Sequence, residues 1–141
     1  MTNTSRFAVD TSVAVPLLVA GHRAHEAVSE WAAGRSLGLS GPALAETYSV
    51  LTRLPGDARV TPADAVLLID DNFPEHLTPS SDATAQAHRD LARLGVAGGA
   101  TYDALVALAA LEHDIVLATR DARARPTYEA VGVRVETIVD F

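Results

Sequence analysis

The sequence predicts an α/β domain of three layers, α/β/α, with a central parallel sheet of about five strands. Three observations predict it. Five short strand-like runs, near residues 7–9, 37–40, 75–78, 115–118 and 133–139, alternate with longer helix-like stretches, the order expected of βα units around a parallel sheet. The run at 115–118, Ile-Val-Leu-Ala, is continuously apolar, as a strand covered on both faces is. At 141 residues and 48% hydrophobic content the chain has the size to bury one core. Residues 1–141 are therefore read as a single domain, with no repeat, linker or low-complexity tract.

Each element follows in order. Phe7-Ala8-Val9 is a strand that ends in Asp10-Thr11-Ser12 and runs into a helix over 13–19. A polar helix over 22–35 precedes the second strand and Gly41-Pro42, where proline suits a first helical position. The helix from Pro42 carries Leu44, Tyr48 and Leu51 on one stripe and stops before Pro55, so that stripe is expected to face the core. Thr61, with Asp64 three residues on, caps another helix that ends near Asp71. A short strand and a Pro79-Ser80-Ser81 turn lead to a helix with Ala83, Ala87, Leu91 and Leu94 in register, stopped by Gly95. The helix over 101–113 is apolar almost all round and is expected to be buried. The 115–118 strand ends in Thr119-Arg120-Asp121, and a last helix, stopped by Gly132, precedes the final strand.

Composition excludes several classes. There is no cysteine, which removes disulfides, thiolate metal sites and thiol nucleophiles together. The polar start and the lack of any apolar run near the ~20 residues of a membrane span make a soluble, cytoplasmic protein the expectation. All eleven basic residues are arginine. The lysine of a phosphate-binding loop is thus missing, as is the active-site lysine normal in a phosphoacceptor receiver domain. The formal net charge of −7 argues against a broad basic face for nucleic acid, so an RNA ligand requires local compensation.

Four acids stand where a ligand site would form. In open α/β sheets ligands gather beyond the carboxyl ends of the strands. Asp10 and Asp121 follow strands, Asp103 opens the apolar helix, and Glu46 lies early in the helix after the second strand. An all-oxygen set of this kind suits Mg²⁺ or Mn²⁺, which would leave coordination positions for a substrate phosphate and acidify water. Each acid also has a structural role open to it. Asp10 and Asp121 can cap helices, Glu46 can belong to a solvated face, and Asp103 can serve its helix dipole. The joint arrangement carries the metal reading.

Asp10-Thr11-Ser12 after the first strand, Glu46 beyond the second, Tyr102-Asp103-Ala104-Leu105-Val106-Ala107 opening a helix and Thr119-Arg120-Asp121 after a late strand resemble the PIN-domain signature, and the VapC-type toxins within that family. The resemblance runs over nearly the whole chain. It implies five parallel strands between helices, an acidic pocket of Asp10, Glu46, Asp103 and Asp121 binding Mg²⁺ or Mn²⁺, and hydrolysis of RNA phosphodiesters to 5′-phosphate and 3′-hydroxyl ends. Ser12 and Thr119 match accessory positions that hydrogen-bond a carboxylate or water. The resemblance also implies a homodimer and a VapB-like antitoxin that fills the acidic groove.

Positive potential for an RNA backbone is available from Arg120, Arg123 and Arg125 beside Asp121, or from Arg89 and Arg93 on one helix face; solvated surface arginine is the competing role. His22 and His25, spaced i, i+3, lack an evident third zinc ligand. With three Phe, three Tyr and one Trp, base stacking is not expected to dominate, and Trp31 and Tyr48 are read as core or interface residues. Two other readings of the acids stand beside the nuclease: a metal-dependent phosphohydrolase of small phosphoesters, and a non-catalytic pocket for a basic peptide. A haloacid dehalogenase-type phosphatase is disfavoured, since it requires an aspartate where this chain has Ser12.

Overall fold

The structure is a computed structural model and describes residues 5–139. Residues 1–4, part of the polar start considered above, and 140–141 lie outside that range. The elements run β1 (Ser5–Val9), α1 (Thr11–Leu18), α2 (His25–Ala32), β2 (Arg35–Leu39), α3 (Ala43–Thr52), a 3₁₀ turn (Gly56–Ala58), α4 (Pro62–Asn72), α5 (Ser81–Leu94), α6 (Ala100–Glu112), β3 (Val116–Thr119), α7 (Arg125–Val131) and β4 (Val135–Thr137). The strands form one parallel sheet in the order β2-β1-β3-β4.

Both faces of the sheet are covered. Ala8 and Val9 point to opposite faces, as do Leu117 and Ala118, and all four are wholly buried. Helix α1 packs on α2 and α3, and α3 on α4, while α5, α6 and α7 form a second group. This is the three-layer α/β/α arrangement that the alternation of runs predicts.

Four strands are present among the described residues rather than five. The segment expected as a strand at 75–78 forms an isolated bridge between Leu77 and Ser40, just beyond β2, with Glu75 N–H donating to Leu37 O. Gly38 explains the close approach. A Cβ on Gly38 would lie 2.5 Å from Glu75 O and 2.7 Å from Glu75 Cβ, so the segment lies tight against β2 there. Glu75 is held by Arg6 at 2.6 Å and by the Ser36 hydroxyl at 2.5 Å, and these contacts draw its carboxyl below the usual glutamate range.

Helix ends follow local chemistry. Thr61 accepts from Asp64 N–H at the start of α4, Ser80 accepts from Ala83 N–H at the start of α5, and Gly95 ends α5 in the left-handed region. Helix α2 starts later than expected because the His22 ring accepts from Ala24 N–H, holding residues 22–24 in a turn. His25 contacts Pro16 O at 2.8 Å, so both histidines of the candidate zinc pair are engaged with backbone.

Helix α3 differs from expectation in its orientation. Its buried positions are Ala43, Thr47 and Leu51, whereas Leu44 and Tyr48 are 47% and 38% exposed. Of the expected stripe only Leu51 is buried, and Leu44 and Tyr48 turn outward. In α6 the small residues Ala104, Ala107, Ala109 and Ala110 pack inward with Val106, while Leu105, Leu108 and Leu111 line an open groove with Leu44 and Ala87.

Candidate active site

Sheet topology brings the site together. From β1 the chain steps to β2 on one side and later returns to β3 on the other, so the switch point lies between β1 and β3, where a crevice opens beyond the carboxyl ends. Val9 pairs with Ala118. The residues that follow them, Asp10 and Thr119, therefore face each other across the crevice, with Asp121 two residues further. Helix α3 leaves directly from β2, and α6 leads directly into β3, so both helices begin at this same end. Glu46 and Asp103 lie in their first turns.

Asp10 is 5% exposed, one of the few buried polar side chains among the described residues. Burial of a carboxylate requires partners, and it has four. Oδ1 accepts from Ser12 N–H at 3.1 Å and Ser12 Oγ at 2.5 Å; Oδ2 accepts from Thr119 Oγ1 at 2.5 Å and Tyr128 Oη at 2.7 Å. Asp10 is thus the N-cap of α1 and also the buried carboxylate at the centre of the crevice. Ser12 Oγ also accepts from Arg120 N–H at 2.8 Å, and Thr119 Oγ1 accepts from Asp121 N–H at 3.0 Å. These hydroxyls knit the ends of β1 and β3 together.

The other acids surround this anchor more loosely. Asp103 is half-buried, and its carboxyl is pushed above the usual aspartate range, first by burial and then by the charges of Asp121, Asp10 and Glu46, with Arg123 acting in the opposite sense. All four sequence-predicted acids therefore lie within electrostatic reach of one point. Asp121 accepts from Arg123 N–H at 2.9 Å, which turns the chain ahead of α7; the helix's own cap is Ala124. Glu46 is exposed.

Among the described residues no three Asp, Glu or His side chains gather tightly enough to hold one metal ion between them. A divalent cation nonetheless fits the donor chemistry. The set is all oxygen, one carboxylate is rigidly fixed, and the mutual repulsion registered at Asp103 is what a bound cation relieves. Mg²⁺ needs only one or two carboxylates, with waters completing its shell.

Of the arginines considered, Arg123 is 96% exposed with Nε 3.8 Å from Asp121 Oδ1. Arg125 is tied to Glu129 and Thr137, Arg93 to Asp90, and Arg120 reaches Ser12 O. Trp31 lies edge-on to Phe7 with Arg35 stacked over both rings, a packing role. Tyr128 is the site residue that the sequence reading missed. Its signal was available in part, because a tyrosine in a short helix that buries its ring needs a partner for its hydroxyl.

Comparison with known proteins agrees with this geometry. The chain is 59% identical to Ribonuclease VapC27 of Mycobacterium tuberculosis (strain H37Rv) over 128 residues, 91% of this chain and 93% of the relative. It is 42% identical to Ribonuclease VapC40 of Mycobacterium tuberculosis (strain CDC 1551 / Oshkosh) over 132 residues, 93% and 98% of the two chains. The fold is shared with VapBC2 from Rickettsia felis bound to a promoter DNA fragment, at TM-score 0.63 and 15% identity over 94% of this chain and 98% of that one. It is shared also with FitAcB from Neisseria gonorrhoeae, at TM-score 0.61 and 20% identity over 92% and 95%. The PIN domain model matches residues 7–129, a span that takes in every element carrying one of the four acids, and the chain belongs to the PIN-domain family.

Proposed function

We propose that this chain is a metal-dependent endoribonuclease, the toxin of a VapBC-type toxin–antitoxin pair, acting through Asp10, Glu46, Asp103 and Asp121. The observation that carries the reading is the pairing of a buried, four-fold hydrogen-bonded Asp10 with an Asp103 that burial and three neighbouring acids keep hard to ionise. Close relatives named as ribonucleases support RNA as the substrate. A solved neighbour that is a VapBC complex supports an antitoxin partner. The reading treats residues 1–141 as one nuclease domain, and a hydrophobic cluster shared by the elements of the described residues supports it.

Asp10 and Asp103 would hold Mg²⁺ or Mn²⁺, with Glu46 and Asp121 contributing directly or through water. A divalent cation there supplies positive charge against a phosphodiester and lowers the pKa of water for in-line attack at phosphorus. The chain's own residues do the rest. Ser12, Thr119 and Tyr128 keep Asp10 immobile, so no reorganisation of that carboxylate is required during reaction. Arg123, exposed beside Asp121, is placed to hold a backbone phosphate and offsets part of the local negative potential. Without metal the cluster repels RNA, and the net charge of −7 adds to that.

No helix among the described residues is long and apolar enough to cross a membrane, consistent with a cytoplasmic enzyme. The exposed apolar side chains of α3 and α4, Leu44, Tyr48, Val66 and Leu67, and the leucine-lined groove beside α6 supply surface for a homodimer and an antitoxin. The test is end-mapping of RNA cut by the purified protein with Mg²⁺ or Mn²⁺. The reading predicts 5′-phosphate and 3′-hydroxyl ends, lost in Asp10→Asn; 2′,3′-cyclic phosphate ends would refute hydrolysis by water.

A further inference from the structure

Tyr128 belongs to α7, 118 residues from Asp10 in sequence. Its ring is 1% exposed, and Asp10 Oδ2 is the hydrogen-bond partner of its hydroxyl among the described residues, at 2.7 Å. A tyrosine kept only for packing satisfies its hydroxyl with any nearby acceptor, most often a backbone carbonyl. Here the hydroxyl instead reaches the one carboxylate buried at the switch point, from a helix that packs on α6, the element carrying Asp103.

The four bonds to Asp10 divide two and two between its oxygens but come from different parts of the chain. Oδ2 is held by groups from distant elements, Thr119 at the end of β3 and Tyr128 in α7. Among the described residues Oδ1 is held only by Ser12, from Asp10's own turn. Of the two donors to Oδ2, the Tyr128 hydroxyl has no other partner among the described residues, so turning it away is costly; the Thr119 hydroxyl has Ser12 Oγ 3.3 Å away as a second partner. The Ser12 hydroxyl has the same alternative in turn. Thr119 Oγ1 is 3.3 Å away and, having accepted one hydrogen bond, retains a second lone pair. A Ser12 hydroxyl turned toward Thr119 keeps the bond it accepts from Arg120 N–H and uncovers a lone pair on Oδ1.

We propose that Tyr128 is a positioning residue for Asp10: together with Thr119 it pins Oδ2 and so fixes the orientation in which the carboxylate meets a divalent cation. This rests on the reading of Asp10 as a metal ligand. Ligating carboxylates are commonly oriented by hydrogen bonds of this type, and loss of such a partner typically weakens metal binding about 10–100-fold.

The test is calorimetric titration of Mn²⁺ into the full-length protein, its Tyr128→Phe variant and its Asp10→Asn variant, with metal-free melting temperatures measured alongside. Phenylalanine retains the ring and removes the hydroxyl. The expected result is a Mn²⁺ dissociation constant raised at least about tenfold in Tyr128→Phe, a folded metal-free variant, and no measurable Mn²⁺ binding in Asp10→Asn. Mn²⁺ affinity in Tyr128→Phe within about twofold of wild type, with binding lost in Asp10→Asn, overturns the role of Tyr128 and leaves the metal reading standing. Unchanged binding in Asp10→Asn overturns the metal reading itself. Should Tyr128→Phe not fold, Thr119→Val removes the other donor to Oδ2 and carries the same expectation; unchanged Mn²⁺ affinity there overturns the proposal equally.

Discussion

Replacing Thr119 by valine keeps the shape of a wholly buried β-branched side chain and removes two hydrogen bonds. One is donated to a buried carboxylate, Asp10 Oδ2, at 2.5 Å; bonds to charged groups contribute about 1.5–3 kcal/mol. The other is accepted from Asp121 N–H at 3.0 Å and contributes about 1 kcal/mol. Thr119→Val should therefore cost roughly 3 kcal/mol in the metal-free protein. For a chain of this size that is on the order of a 10 °C fall in Tm. Thr119→Ser is the control. It preserves the hydroxyl and deletes one buried methyl, a loss of about 1 kcal/mol. The assay is thermal and urea unfolding of both variants in chelator. If Thr119→Val costs no more than Thr119→Ser, the hydroxyl is not holding Asp10, and the account of a rigid anchor at the switch point fails.

Other predictions concern charge and packing. The raised carboxyl of Asp103 means that the unfolded chain loses this proton first. Metal-free stability should therefore fall as pH rises from the ordinary aspartate value of 3.8 through the higher native one. Asp103→Asn should accordingly be more stable than wild type near pH 7 in chelator, with the advantage shrinking as the solution is acidified; melts across that range check it, and a wild type more stable than the variant at neutral pH would contradict it. Gly38→Ala places a methyl 2.5 Å from Glu75 O, which should cost about 1–3 kcal/mol by displacing backbone. Urea unfolding measures that cost, and a neutral result would mean that the 75–77 segment does not lie tight against β2.

The fold was legible because strand and helix periods alternate clearly, and because Asp10, Asp103 and Asp121 each sit at a strand end or helix start. In a parallel sheet such positions lie at one end whatever the sequence distance between them. Tyr128 was not legible in this way. Within Arg-Pro-Thr-Tyr it reads as a core residue, and only the order β2-β1-β3-β4 brings α7 to the end of β1. The outward turn of Leu44 and Tyr48 escaped for a different reason. Periodicity identifies an apolar stripe but not which positions its neighbours cover; α3 packs on α1 and α4, and the positions it buries are Ala43, Thr47 and Leu51. The expected fifth strand is an isolated bridge, and the close approach of residues 75–77 to β2 depends on the absent side chain at Gly38, which no propensity of residues 75–78 encodes.

The central claim is that four converging acids make this chain a metal-dependent ribonuclease. Its most direct test is incubation of a pool of cellular RNA with the purified protein and Mg²⁺ or Mn²⁺, beside a chelator control and Asp103→Asn. The account predicts discrete cleavage that disappears both with chelator and in the variant. Cleavage that persists in chelator or in Asp103→Asn, or none across a broad RNA set by folded protein shown to bind the metal, would contradict it.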